Sequence, residues 1–145
     1  MNIDLTGKNA LVCGSSGGIG KACAIELSSL GANVTLLARN EERLKSAQHS
    51  LDIAIRQQHG YLLADFSDPA SVRKAIEEHL RTKTVHILIN NSGGPPAGPI
   101  VDAREEDFLS TFNQHLICNH ILAKAVIPGM KKEGYGRIVN VISTS

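Results

Sequence analysis

Leu11-Val12-Cys13-Gly14-Ser15-Ser16-Gly17-Gly18-Ile19-Gly20 is the stretch that decides the fold. The apolar run Ala10–Cys13 stops at Gly14, and Lys21-Ala22-Cys23-Ala24-Ile25-Glu26-Leu27 resumes with apolar residues at helical spacing. That order reads as strand, tight glycine turn and helix. Such a turn aims free backbone N–H groups and the positive end of a helix dipole at one point, which suits an anion and above all a phosphate. Two familiar patterns fail here. The P-loop pattern needs glycine where Ser15 stands and a hydroxyl where Ala22 stands, and G-x-G-x-x-G fails at Ser16. What remains is G-x-x-x-G-x-G, formed by Gly14, Gly18 and Gly20.

The 145 residues fit one domain, 1–145, large enough to bury a sizeable core. Fifteen basic and 14 acidic residues leave a formal net charge of +1. That balance argues against a nucleic-acid or membrane-surface partner. No stretch reaches the length of a membrane span, and Met1-Asn2-Ile3-Asp4 is too polar for a signal peptide. Cys13, Cys23 and Cys118 are isolated in apolar segments and read as free thiols of a cytoplasmic protein, with no metal site.

Along the chain, apolar strands alternate with helices. A first helix runs from about Gly18 to Leu30 and ends at Gly31, followed by a strand at Asn33–Ala38. Asn40 caps a helix expected to continue to about Gln58 and to close at Gly60. A third strand covers Tyr61–Ala64, and Asp68-Pro69 opens a helix reaching about Lys83. Val85–Asn90 is the fourth strand and Asn91–Pro99 an irregular loop. A long helical region, about Arg104 to Lys132, is expected to be kinked or divided in its last turns by Pro128, and Arg137–Ser143 forms the fifth strand. Five strands and four helices in this order specify an α/β protein with a doubly wound parallel sheet. Ligands of such sheets bind at the carboxyl ends of the strands. There lie Gly14, Ser15, Ser16, Gly18, Ile19 and Gly20; Arg39; Asp65 and Phe66; Asn91, Ser92 and Gly93; and Ser143.

Arg39 carries information about the ligand. A sheet selecting NAD places an acid near the end of the second strand for the ribose 2′-hydroxyl. Here Ala38 is uncharged, and the Arg39 guanidinium suits a 2′-phosphate, which points to NADP with NAD as the alternative. Gly17 adds no charge within the loop.

The glycine loop, Asp65 after the third strand, Asn90-Asn91-Ser92-Gly93 and Gly136-Arg137-Ile138-Val139-Asn140 before Ser143 occur in the order found in short-chain dehydrogenase/reductases. The chain resembles the N-terminal part of that family, whose sheet is Rossmann-like. Asn91-Ser92-Gly93-Gly94-Pro95-Pro96 is similar to a subgroup grouped with 3-oxoacyl-carrier-protein reductases. The resemblance implies that Asp65 meets the adenine edge and that Asn91, Ser92 and Gly93 pass beneath the cofactor ribose. It implies that Ser143 polarises the carbonyl of a small-molecule substrate, and that the protein is a homo-oligomer.

The sequence departs from that pattern in places. Ser92 stands where the family carries alanine, and His115 where many relatives carry an asparagine holding a relay water, with Asn113 and Asn119 close enough to compete for that assignment. The family's proton donor is a Tyr followed four residues later by Lys; here Tyr61 and Tyr135 are followed by Asp65 and Val139. The C-terminal strands and helices of the family fold are expected to be missing as well, so the chain reads as part of a longer protein or a truncated product. The leading expectation is an NADP-dependent oxidoreductase interconverting a carbonyl and an alcohol, active only in a longer chain. The alternative is a non-catalytic dinucleotide-binding module.

Overall fold

The computed structural model describes residues 3–94 and 97–142. Its parallel sheet has the strand order β3-β2-β1-β4-β5. The strands are β1 (Asn9–Cys13), β2 (Asn33–Ala38), β3 (Gly60–Leu63), β4 (Ile87–Asn90) and β5 (Arg137–Asn140). The helices are α1 (Gly18–Ser29), α2 (Glu41–Gln48), α3 (Pro69–His79), α4 (Glu105–Phe112) and α5 (Cys118–Lys132), the last two joined without a break by a π-helical turn at Asn113–Ile117. Counted as one continuous helical region, 105–132 is the fourth and longest helix, as the sequence leads one to expect. The winding reverses between β1 and β4, and this is where doubly wound sheets bind ligands.

The two-residue period of the strands builds two separate cores. Ala10, Val12, Val34, Leu36, Ile87 and Ile89 face one way, against Ala24 of α1 and Leu44 of α2. Leu11, Cys13, Leu37 and Leu88 face the other way, against Val72 and Ile76 of α3 and Ile121, Leu122 and Val126 of α5. Strands β1 and β2 are therefore apolar on both faces because both faces are covered. All four residues of β5 are exposed, and among the described residues β5 pairs only with β4.

Local signals explain the helix starts. Asn40 Oδ1 accepts the Arg43 N–H at 2.9 Å, and Asp68 Oδ1 accepts the Ala70 N–H at 3.0 Å with Pro69 in the first helical position. At the amino ends of the strands, the Asn9 N–H donates to His86 Nδ1 at 2.9 Å while His86 Nε2 lies 2.7 Å from Glu133 Oε2. Because a backbone N–H can only donate, His86 carries its proton on Nε2 and joins β1 to the C-terminal end of α5.

Three expectations need correction. Helix α2 ends at Gln48, ten residues before the expected Gln58. Its successor segment is held by distant residues instead: the Asp52 N–H donates to Ser28 Oγ and the Gln58 N–H to Asn33 Oδ1, while the segment's own Gln57 Nε2 donates to the Ser28 carbonyl. These bonds satisfy the backbone outside a helix and turn Leu51 into the core. Helix α3 stops at His79 and does not reach Lys83, its end closed by backbone bonds to the Ile76 and Glu78 carbonyls. In 105–132 the irregularity falls at Asn113–Ile117, while Pro128 sits inside an uninterrupted α5. The wider turn rotates the helix surface: Phe108 and Phe112 before it and Leu116 within it are exposed, whereas Cys118, Ile121 and Leu122 after it are buried.

Leu36 is fully buried at the centre of the first core. Replacing it by alanine should cost about 2–5 kcal/mol. The expected observation is a lower urea midpoint with an unchanged denaturant slope.

Candidate nucleotide-binding site

The glycine loop works through contacts that leave no room for a side chain. Gly14 has φ +58°, and a Cβ there would lie 2.6 Å from the Asn91 carbonyl oxygen and 2.8 Å from its Nδ2. A Cβ on Gly20 would fall onto the Gly14 carbonyl and 2.9 Å from Asn91 Nδ2. Asn91 is thus the brace of the loop, its Nδ2 donating to the Cys13 carbonyl at 3.3 Å and lying 3.5 Å from the Gly14 carbonyl. The first turn of α1 contains no acidic residue, and its N-cap Gly17 supplies no side-chain bond. The positive end of the helix therefore faces the rim of the sheet without a counter-charge of its own.

The remaining residues divide between lining this rim and supporting it. Ser15 is fully buried, and its Oγ accepts the Leu37 N–H at 2.9 Å, so its side chain fastens the loop to β2. Ser16 is half-buried, Gly18 is exposed and Ile19 is 61 % exposed, all on the outer side of the turn. Arg39 is exposed at the end of β2. Asp65 Oδ1 accepts the Ser67 N–H at 2.9 Å; that bond, the Ser67 hydroxyl and the nearby Arg39 charge hold its carboxyl below the usual carboxylate range. Phe66 packs against the second core, and its carbonyl accepts the Cys118 thiol at 3.4 Å. Ser92 is half-buried, and Gly93 is exposed beside it. Ser143 lies outside the described residues.

The thiols belong to the core. Burial pushes Cys118 up to about 11 and raises Cys13 further, so neither offers a thiolate. His115, carried by the π turn, does have a partner on the rim: its Nδ1 lies 2.9 Å from Ser92 Oγ. Sequence reasoning noted both residues as departures but had no signal that they meet. His115 also borders a pocket of about 730 Å³ lined by Pro99, Ile100, Phe108, Phe112 and Leu116. Among the described residues no cluster of metal-ligating side chains is present, and no helix is long and apolar enough to cross a membrane.

A doubly wound sheet with a glycine cradle at its reversal point defines a nucleotide-binding class of protein. Residues 8–145 match the short chain dehydrogenase family. The chain belongs to that family. It is 33% identical over 141 residues to hydroxysteroid dehydrogenase-like protein 1 of Gallus gallus, covering 96% of this chain and 43% of that protein. It is equally 33% identical to the 3-oxoacyl-[acyl-carrier-protein] reductase of Rickettsia conorii, covering 97% of this chain and 56% of that one. Among solved structures, L-sorbose reductase from Gluconobacter frateurii complexed with NADPH and L-sorbose superposes with a TM-score of 0.87 at 30% identity, covering 95% of this chain and 53% of the other. The chain spans about half the length of the relatives it matches.

Two measurements test the cradle. Gly20→Ala should lower stability by about 1–3 kcal/mol, because its methyl overpacks the loop against backbone. Gly17→Ala, in extended backbone with nothing within 4 Å of the added carbon, should change it by less than about 0.5 kcal/mol. Asp65 contributes stability above the unfolded carboxylate value, which is lost as pH falls through its lower folded value. Asp65→Asn should therefore flatten the fall in thermal midpoint below about pH 4.

Proposed function

We propose that this chain carries the cofactor half of an NADP-dependent oxidoreductase that interconverts a carbonyl and an alcohol. The observation that carries the reading is the loop Gly14–Gly20, closed against Asn91 so tightly that only hydrogen fits at Gly14 and Gly20. Such a surface accepts a pyrophosphate on backbone N–H groups at a helix start. Gly14, Ser16, Gly18, Ile19 and Gly20 would hold the phosphates, with Ser15 fixing the loop from behind. Arg39 would take the 2′-phosphate, Asp65 and Phe66 would flank the adenine, and Asn91, Ser92 and Gly93 the ribose. The NADP-bound 3-oxoacyl reductase of Agrobacterium tumefaciens, at 26% identity and a TM-score of 0.86, supports the choice of cofactor.

Bound NADPH supplies a hydride to the carbonyl carbon, and a proton must reach the oxygen. Ser143 would donate a hydrogen bond to that oxygen, polarising the carbonyl. Three free cysteines support a cytoplasmic setting. The exposed row Phe108, Leu109, Phe112 and Leu116 supports coverage by a second copy of the chain. A second reading, dinucleotide binding without catalysis, is favoured by the name of a relative. One relative, of Homo sapiens, is itself named inactive hydroxysteroid dehydrogenase-like protein 1.

Calorimetric titration tests the shared part of both readings. NADPH should bind more tightly than NADH, and Arg39→Ala should weaken NADPH about tenfold while leaving NADH unchanged, the loss of one charge-assisted contact. Equal affinities for the two cofactors in the unaltered protein would overturn the NADP assignment. Ketone-dependent oxidation of NADPH separates the enzyme from the binding module.

A further inference from the structure

Ser92 and His115 stand 23 residues apart in sequence, and the fold puts them in hydrogen-bond contact at 2.9 Å. Among the described residues the other ring nitrogen, His115 Nε2, is enclosed and has no partner. These two facts fix the direction of the bond. Were the proton on Nε2, an enclosed N–H donor would be left unpaired, an arrangement that native structures almost never tolerate. With the proton on Nδ1, only a lone pair is left unpaired, the milder of the two penalties, and the ring donates to Ser92 Oγ.

The Ser92 oxygen is then an acceptor from His115, and its own proton must go elsewhere. Among the described residues nothing accepts it. Ser92 directly follows Asn91, the residue that braces Gly14, so its backbone borders the glycine cradle. We propose that His115 is a positioning residue: its Nδ1–H holds Ser92 Oγ so that the serine hydroxyl donates to an oxygen of the bound dinucleotide. The inference rests on the dinucleotide reading of the preceding subsection, and it adds a contact that an alanine at position 92 could not make. The π turn at Asn113–Ile117 is the device that delivers the ring, since it alters the helix phase where His115 projects.

The test has two arms. Long-range 1H–15N spectra of histidine-labelled protein read the tautomer of each neutral ring. His115 should carry its proton on Nδ1, opposite to His86, and a proton on Nε2 would overturn the proposal. In the second arm NADPH is titrated into the protein and four variants. Ser92→Ala and His115→Phe should each weaken binding about tenfold, as the loss of one hydrogen bond, and the double variant no further than either alone. His115→Asn, whose amide nitrogen stands near the place of Nδ1, should retain binding. Unchanged affinity in Ser92→Ala, or additive losses in the double variant, would overturn the Ser92–His115 role with the dinucleotide reading intact. Failure of the unaltered protein to bind NADPH would overturn that reading and this inference together.

Discussion

Everything at the rim of the sheet depends on one close approach, that of Gly20 and Gly14 to each other and to Asn91. The first turn of α1 lies so near the end of β1 that a single methyl on Gly20 would meet the Gly14 carbonyl. Asn91, reaching across from β4, bonds the last carbonyl of β1 and so locks the two strands that flank the topological reversal. The result is a rigid cradle of backbone groups at the positive end of a helix. Its rigidity comes from the packed cores beneath it: Val12 and Leu11, on opposite faces of β1, are both fully buried. The shape of the cradle is in that sense a consequence of core packing.

Around the cradle, the chain uses side chains with unequal duties. Ser15 is turned inward to bind β2, Asp65 closes its own turn through Ser67, and Arg39 is left in solvent at the strand end. Among the described residues no carboxylate bonds this exposed guanidinium, and its charge helps keep Asp65 ionised. Asp65 can keep its local bond through one oxygen and still present the other. The local turn and a ligand contact are compatible on one carboxylate, which accepts several hydrogen bonds.

Much of this was legible in the sequence because it is written in local chemistry. The apolar runs at 10–13, 33–38 and 87–90 are strands since both faces of a central parallel sheet are covered, and Asn40 and Asp68-Pro69 cap helices with their own side chains. The misses are non-local. Nothing near Gln48 announces that Ser28 and Asn33 will take up the next ten residues, and helix-compatible residues there say nothing of it. Pro128 is a visible helix breaker, yet it sits inside α5, and the departure from α-helical geometry lies at Asn113–Ile117, between an exposed and a buried apolar face. The meeting of Ser92 and His115 is a tertiary fact for which only two separate oddities of sequence gave a hint.

In the proposed function the carboxyl ends of the strands, and not another part of the molecule, receive a phosphate-bearing dinucleotide. The most direct measurement is a backbone amide map of the 15N-labelled protein during titration with NADPH. Perturbations should concentrate at Gly14–Gly20, Arg39, Asp65 and Asn91–Gly93. Perturbations centred instead on the polar recess of Asn9, Asn33, Lys83, His86 and Glu133 at the opposite end of the sheet, or none at all, would contradict it.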